Sequence, residues 1–122
     1  MNCPKCSTAM EKVTYASIEV DRCPACGGLW FDALEAEKLR KIPGSEAIDQ
    51  GPTVASAARE VKGPRLCPVC QEPMIQMAVH RQPHIHFESC TVCYGWFFDA
   101  GEFRDMKEVT VAEWLKSLLP KR

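Results

Sequence analysis

The chain has 122 residues, with 15 basic and 16 acidic side chains, a net charge of −1 and eight cysteines. Neither sign of charge clusters, so there is no basic stripe of the kind that binds a phosphate backbone, and nucleic acid is not the favoured partner. No apolar run approaches the roughly 18 residues of a membrane span. Residues 1–5 contain no apolar signal segment, so we expect a cytoplasmic protein with reduced thiols.

The cysteines are part of a tandem repeat. Cys-x-x-Cys pairs occur at residues 3–6, 23–26, 67–70 and 90–93. The residues that follow the second pair of each half also match, with Gly-Leu-Trp-Phe-Asp-Ala at 28–33 and Gly-Trp-Phe-Phe-Asp-Ala at 95–100. The repeat divides the cysteines into two sets of four. Units of roughly 40 residues bury little apolar surface, so each needs a metal, a disulfide or a partner.

Each half contains the signals of a β-hairpin. Residues 10–20 alternate weakly between apolar and polar side chains, which predicts two short strands, and residues 29–31 predict a third. In the second half, Ile85 and Phe87 stand where the first half has Ile18 and Val20. The same register in both halves predicts the same local structure twice.

A short helix is predicted after each hairpin. Asp32 is followed three residues later by Glu35, an Asp variant of the capping box, which predicts a helix over residues 33–42. Asp99 and Glu102 repeat this pair in the second half. Together with the hairpins, these helices predict a small α+β fold stabilised by metal.

The sequence predicts four segments. They are a first unit at residues 1–42, a linker at 43–64, a second unit at 65–108 and a C-terminal amphipathic helix at 109–122. Pro and Gly recur along the linker, and this composition predicts a mobile tether. In the last segment the apolar residues recur with helical spacing, at Val111, Trp114, Leu115, Leu118 and Leu119. We expect this helix to cover one of the two cysteine-containing units, pair with a copy of itself or receive a partner, with packing on its own chain as the default.

A four-cysteine set with Cys-x-x-Cys on each side is a specific signal for zinc. Zn²⁺ accepts a tetrahedron of thiolates at about 2.3 Å, and two intervening residues let one turn present both sulfurs to the same ion. Gly27-Gly28 suits a backbone at positive φ after the second ligand, whereas Tyr94-Gly95 predicts a strained turn. Four protein ligands leave no open position for substrate, so we expect structural sites and no enzyme activity.

Three other uses of the cysteines stay open. Iron in place of zinc would make rubredoxin-like electron carriers, because ligand type alone does not separate the two metals. Thiol–disulfide exchange usually places Cys-x-x-Cys at the start of a helix in a βαβ unit, and the sequence contains no such unit. A zinc-occupied redox sensor is the third use.

The pattern Cys-Pro-x-Cys, hairpin, Cys-Pro-x-Cys-Gly-Gly-Leu-Trp-Phe-Asp-x-x-Glu resembles the transcription factor IIB-type zinc ribbon of small bacterial proteins. Both units carry it, although Thr91 and Tyr94 stand where the family has Pro and Gly. The resemblance implies two rubredoxin-like zinc ribbons, each a β-hairpin with two Cys-x-x-Cys knuckles and a short helix, with one zinc ion per ribbon. By motif match, the implied ligands are Cys3, Cys6, Cys23 and Cys26 in the first ribbon, and Cys67, Cys70, Cys90 and Cys93 in the second.

Three histidines lie near the second hairpin, at His80, His84 and His86. His84 and His86 alternate with Ile85 and Phe87. Because alternate side chains of a strand point to opposite faces, we expect these two histidines to be exposed and not to form a third metal site.

The apolar triplets at residues 29–31 and 96–98 are candidate contact residues. Three consecutive apolar residues in an extended segment cannot all face one side. We therefore expect Trp30, Trp96 and Phe97, with the helix over 110–119, to contact the other ribbon, a second copy or a protein partner.

The sequence thus predicts a cytoplasmic, non-enzymatic tandem zinc-ribbon protein, an interaction module that contacts a protein partner or self-associates. The alternatives are a nucleic-acid-binding accessory of transcription and a redox-active cysteine protein or electron carrier. Because each metal serves one unit, we expect loss of one site to unfold one ribbon and leave the other largely folded.

Overall fold

The structure is a computed structural model that describes residues 1–54, 62–79 and 82–108, without the side chains of residues 79 and 82–84. The helix predicted over residues 109–122 and the position of His80 lie outside this description. So do residues 55–61 of the predicted linker.

One antiparallel sheet of six strands organises the described residues. The strands run over Glu11–Tyr15 (β1), Ile18–Arg22 (β2), Leu29–Phe31 (β3), Ile75–Val79 (β4), Gln82–Ser89 (β5) and Trp96–Phe98 (β6). Their spatial order is β1-β2-β3-β6-β5-β4. The first half of the chain therefore contributes ribbon 1 (β1 to β3) and the second half ribbon 2 (β4 to β6). The two ribbons join edge to edge through β3 and β6.

An approximate two-fold relation connects the ribbons. The junction pairs Trp30 with Phe97, Leu29 with Phe98 and Phe31 with Trp96. Trp30 and Phe97 are counterparts in the repeat, so the two-fold axis passes between them. The hairpins obey the same relation, because Val13 pairs with Val20 as Met77 pairs with Phe87. Each ribbon thus covers the other in the manner of two subunits of a symmetric dimer.

The main apolar cluster lies on one face of the sheet and belongs to both ribbons. Leu29 and Phe31 of ribbon 1 are fully buried there beside Ile85 and Phe98 of ribbon 2. The rings of Phe31 and Phe98 meet edge to face, with centroids 5.5 Å apart, a favoured aromatic geometry. Neither ribbon therefore has a separate core on this face.

A short helix follows each ribbon and covers this cluster. Helix α1 spans Glu35–Arg40, and residues 102–108 are helical (α2). Helix α1 begins later than predicted, because Leu34 at its start has a left-handed backbone with φ 74°. Leu39 of α1 and Phe103 of α2 are fully buried. Within the described ranges, neither helix has the length and apolar character that a membrane crossing requires.

The predicted capping boxes form only in part. The Glu35 carboxylate accepts a hydrogen bond from the backbone N–H of Asp32 at 2.9 Å, as predicted. However, the Asp32 carboxylate accepts a bond from the indole N–H of Trp30 at 3.1 Å and does not cap α1. In ribbon 2, Asp99 forms an ion pair with Arg65 at 2.6 Å. Both aspartates therefore have partners outside their helices.

Residues 43–52 pack against both ribbons, in contrast to the mobile tether that their composition predicts. A 3-10 helix, Ser45–Ile48, ends in a residue that is buried in the main cluster. The fully buried carboxylate of Asp49 accepts hydrogen bonds from the backbone N–H of Gly101 at 2.8 Å and of Arg104 at 3.1 Å. Asp49 thus satisfies the free N–H groups at the start of α2, a role that cap residues normally fill from within their own helix.

A lysine ties the same segment to α2. The Lys107 ammonium donates hydrogen bonds to the carbonyl oxygen of Ile42 at 2.7 Å and to the hydroxyl of Ser45 at 2.6 Å. It also forms an ion pair with Glu46 at 2.7 Å. Because the lysine is buried, these bonds satisfy a charge that is costly to leave unpaired.

The junction requires glycine at two positions because of close approach. The Trp30 ring lies against Gly95, and the Phe97 ring lies against Gly28; a Cβ at either glycine would come within 3.0 Å of ring carbons. Neither glycine has a left-handed backbone, whereas Gly27 does, with φ 79°. The sequence interpretation that Gly27-Gly28 serves a positive φ is therefore confirmed at Gly27 and wrong at Gly28, where the Phe97 ring of the other ribbon explains the glycine.

We expect Gly95→Ala to destabilise the zinc-loaded chain by roughly 1–3 kcal/mol, because the added Cβ overlaps the Trp30 ring. In a Trp30→Leu background, which lacks that ring, the same substitution should have a much smaller effect. Urea unfolding of the parent protein, the two single variants and the double variant gives the coupling between the two positions. An equal effect of Gly95→Ala in both backgrounds would contradict the close-approach explanation.

Candidate metal centres

Each ribbon gathers four sulfur atoms. In both groups, all the Sγ atoms lie within 4.8 Å of one another. Group 1 consists of Cys3, Cys6, Cys23 and Cys26, and group 2 of Cys67, Cys70, Cys90 and Cys93. These are the two sets that the sequence predicts, and all eight cysteines are free thiols.

Backbone hydrogen bonds fix each knuckle at an end of the hairpin. The first knuckle of ribbon 1 precedes β1 and is closed by a bond from the N–H of Cys3 to the carbonyl of Thr8 at 2.8 Å. The second knuckle connects β2 to β3 and is closed by the N–H of Cys23 and the carbonyl of Gly28, also at 2.8 Å. The hairpin thus brings residues far apart in sequence to one site, and ribbon 2 repeats both bonds.

The residue after the second cysteine of every knuckle has a left-handed backbone. The φ values are 65° at Ser7, 79° at Gly27, 62° at Gln71 and 62° at Tyr94. For a residue with a Cβ, this conformation costs about 1–2 kcal/mol. The expectation of a strained turn at Tyr94 is confirmed. The turn is retained at three non-glycine positions because it aims both sulfurs of a knuckle at one point.

Backbone N–H groups point at the sulfur atoms. The Cys67 Sγ accepts hydrogen bonds from the N–H of Cys70 at 3.2 Å and of Val69 at 3.4 Å. In group 1, the N–H of Cys26 donates to the Cys23 Sγ at 3.4 Å. Such donors stabilise negative charge on sulfur, as required of a metal-binding thiolate.

The thiols of group 1 differ in acidity. A hydrogen bond from the Cys3 thiol, opposed by burial, lowers the pKa of Cys26 to about 5. The same bond, together with burial, raises the pKa of Cys3. Group 1 thus combines a buried thiolate with neighbouring thiols that donate to it. A divalent cation bound at the centre of the group would convert the remaining thiols to thiolates.

The sulfur spacing fits a tetrahedral zinc ion. Four sulfurs at about 2.3 Å from a central ion are ~3.8 Å from one another. The observed separations are 3.6 Å from Cys3 to Cys26, 3.4 Å from Cys6 to Cys23 and 3.7 Å from Cys67 to Cys93. The two groups therefore fit two zinc ions, one in each ribbon.

Aromatic residues couple each group to the other ribbon. Trp30 of ribbon 1 packs against Gly95, two residues after Cys93 of group 2, and Phe97 of ribbon 2 packs against Gly28, two residues after Cys26 of group 1. Both rings belong to the buried cluster that contains cysteines of both groups. The packing around each group therefore depends on a residue of the other ribbon.

Trp30 and Phe97 are fully buried inside the chain, whereas Trp96 is half-buried and lies against Phe87 with ring centroids 4.7 Å apart. The sequence predicts that Trp30 and Phe97 contact the other ribbon, a second copy or a protein partner. The structure shows the contact with the other ribbon. Contact of the chain with a partner remains a prediction, and it has to involve other side chains than these two.

His86 is exposed on β5, while its neighbours Ile85 and Phe87 are buried. This agrees with the predicted alternation of the strand. Across residues 1–54, 62–79 and 82–108, only the two four-cysteine groups have the geometry of a metal site. The side chain of His84 lies outside the description.

Comparison with known families finds one matching family, described as transcription factor zinc-finger, over residues 2–41 and 66–109. Each matched segment contains one of the four-cysteine groups. The match covers more than half of the chain. Comparisons with curated proteins and with solved structures found no match.

We expect Cys90→Ser to expose backbone amides in both ribbons, because the ribbons share one apolar cluster and Trp30 packs on the knuckle that Cys90 begins. This replaces the expectation, from the sequence alone, that the other ribbon would stay folded. Amide hydrogen exchange in β2 and β5 measures the effect, with Val92→Ala as a control in the same knuckle, where the side chain is 61% exposed. Unchanged protection of β2 in Cys90→Ser would show that the ribbons fold independently.

Replacing both His84 and His86 with Ala should leave the zinc content at two ions per chain, since the four-cysteine groups provide complete donor sets. Elemental analysis of the purified variant beside the parent protein measures this. A lower zinc content would mean that a histidine takes part in metal binding.

Proposed function

Because this chain belongs to the transcription factor zinc-finger family, we propose that it is an interaction module in which two structural zinc ions hold a rigid scaffold. The observation that carries this proposal is the pair of closed four-sulfur groups. Four protein donors fill the coordination of a tetrahedral ion and leave no position for water or substrate. The zinc ions then supply folding energy, and function belongs to the surface that they hold in place.

The residues that would hold the ions are the cysteines of the two groups. In each group, two sulfurs come from the knuckle before the hairpin and two from the knuckle after it. Binding of one ion fixes both ends of a hairpin, and it thereby fixes the short strand that joins the other ribbon. The chain's contribution is to position and desolvate the sulfurs: Cys23, Cys67 and Cys90 are at most 1% exposed.

A cleft between the first knuckles of the two ribbons is the surface that we propose for partner contact. It has a volume of about 490 Å³, and its lining includes Met1, Pro4, Leu66 and Pro68 beside polar residues. Met1 and Leu66 are 47% and 40% exposed. Apolar side chains at the mouth of a polar cleft suit a protein segment, because apolar anchors contribute most of the binding energy at such interfaces.

The charge of the chain favours a protein over a nucleic acid at this cleft. Lys62 is the one basic side chain among the lining residues that the structure describes. The net charge is −1, and a site for a phosphate backbone needs several Lys or Arg side chains in a row. The module therefore recognises a partner mainly through shape and apolar contact.

The test uses zinc-loaded full-length protein as bait in the native cell extract, together with sedimentation of the purified protein. We expect capture of a protein, or a dimer in sedimentation, and loss of either in Leu66→Asp. The control is Thr14→Asp, at an exposed position of β1. A monomer that captures no protein would contradict the proposal, as would salt-dependent binding of DNA or RNA that Leu66→Asp leaves unchanged. Zinc content is measured for each variant to verify the fold.

A further inference from the structure

The segment between the ribbons follows a path that crosses from one to the other. We call residues 43–52 segment A. At its start, the hydroxyl of Tyr15 in β1 donates a hydrogen bond to the carbonyl of Pro43 at 2.8 Å. Towards its end, Asp49 binds the first N–H groups of α2, and Pro52 reaches Gly101. Segment A therefore covers part of ribbon 1 and the start of the second helix.

The surface beneath the end of segment A consists of small residues. A Cβ on Gly27 would lie 3.6 Å from the carbonyl oxygen of Gly51, and a Cβ on Gly101 would lie 3.1 Å from the Cδ of Pro52. Any longer side chain at these two glycines would meet segment A. Glycine at both positions leaves room for the segment.

The surface related to this one by the two-fold axis carries large apolar side chains. The counterparts of the two glycines are Tyr94 and Leu34, which are 67% and 70% exposed. Both hold a left-handed backbone, with φ of 62° and 74°, which is unfavourable for residues with a side chain. Since the conformation of Tyr94 is the one shared by all four knuckles, it is the exposure of these two large side chains that favours a contact surface.

A third apolar side chain is exposed along the same path. Met77 in β4 is the counterpart of Val13 in β1, since each pairs with the equivalent residue of the neighbouring strand. Val13 packs against the main cluster, which also contains Ile48 of segment A, and β1 contacts the 3-10 helix of that segment. Met77, in contrast, is 41% exposed. Ribbon 2 thus lacks, among the described residues, the cover that segment A gives to ribbon 1.

The offset of 67 residues that relates β3 to β6, carried past the matched repeat, places residues 110–119 opposite segment A; we call them segment B. With Trp30 aligned to Phe97, segment B is the counterpart of segment A and has the same length. Ile48, which segment A buries in the main cluster, aligns with Leu115. An apolar residue is therefore present in segment B at the position that would reach Met77.

One ion pair of segment A has a counterpart in the sequence, whereas Asp49, which binds the start of α2, aligns with Lys116. Glu46 of segment A pairs with Lys107 of α2 at 2.7 Å. In the same register, Glu46 aligns with Glu113 of segment B, and Lys107 aligns with Arg40 of α1. Segment B and α1 therefore carry the same acid–base pair of side chains, and Arg40 also forms an ion pair with Glu37 at 2.7 Å.

The side chains of segment B change size together with the surface that it would cover. Gly51 and Pro52, which lie over the glycines, align with Leu118 and Leu119. Larger apolar residues in the segment accompany the larger apolar residues of the surface. This matched change is expected of two surfaces that pack on each other.

We propose that segment B lies over Met77, Tyr94 and Leu34 of its own chain, along the path that the two-fold axis relates to that of segment A. The occupant of this apolar surface is the carboxyl-terminal segment of the same molecule. This surface differs from the cleft between the first knuckles, so the proposal stands independently of the function proposed above.

Photocrosslinking tests the path directly. The probe is p-benzoylphenylalanine in place of Tyr94, in the zinc-loaded full chain. Irradiation should give a crosslink within one chain that maps to residues 110–122. Leu115→Asp should lose most of this crosslink, whereas Ser117→Asp, at a polar position of segment B, should keep it. Crosslinks between two copies would assign the surface to a second copy and overturn the proposal, and so would the absence of a crosslink to segment B.

Methyl NMR of methionine-labelled protein gives a second readout that needs no probe at the surface. Leu115→Asp should shift the Met77 methyl signal. The methyl signals of Met10 and Met74 should stay in place, because these residues pack with the cysteine groups on the opposite face of the sheet. An unchanged Met77 signal would show that segment B does not cover β4.

Discussion

The sulfur atoms of each ribbon, held within 4.8 Å of one another, are the constraint on which the rest of this structure depends. Each group closes the chain at both ends of a hairpin, and the strand that follows is only three residues long, at Leu29–Phe31 and Trp96–Phe98. Strands this short have little stability of their own. Bonding of four thiolates to one zinc ion fixes where each strand begins, and it thereby fixes the register of β3 against β6.

The register then links the metal sites to the apolar core. With Trp30 opposite Phe97, each ring reaches the knuckle of the other ribbon, and Leu29 and Phe98 face the shared cluster. A ribbon alone would expose half of that cluster, so the pair behaves as a dimer within one chain. Metal binding, strand pairing and core packing therefore depend on one another. Zinc binding supplies the folding free energy that the small core cannot.

The sequence predicts what local spacing determines. Two Cys-x-x-Cys pairs per half identify both metal centres, and the family and the small α+β fold are confirmed. It does not predict contacts whose partners lie far along the chain. The hydrogen bond between Gly101 and Asp49 connects a helix of the second unit to a segment whose composition is that of a linker. No local sequence pattern predicts this bond. Gly28 and Gly95 could have been interpreted correctly only from the junction, because the ring that requires each glycine belongs to the other ribbon.

The central claim is that zinc–thiolate bonding holds both ribbons together as one fold. Stepwise removal of metal by a chelator, with zinc content and near-UV circular dichroism measured on the same samples, tests it most directly. We predict two zinc ions per chain in the starting protein, and loss of the aromatic signal of Trp30 and Phe97 in step with loss of metal. A metal-free protein that keeps its near-UV spectrum would contradict the account.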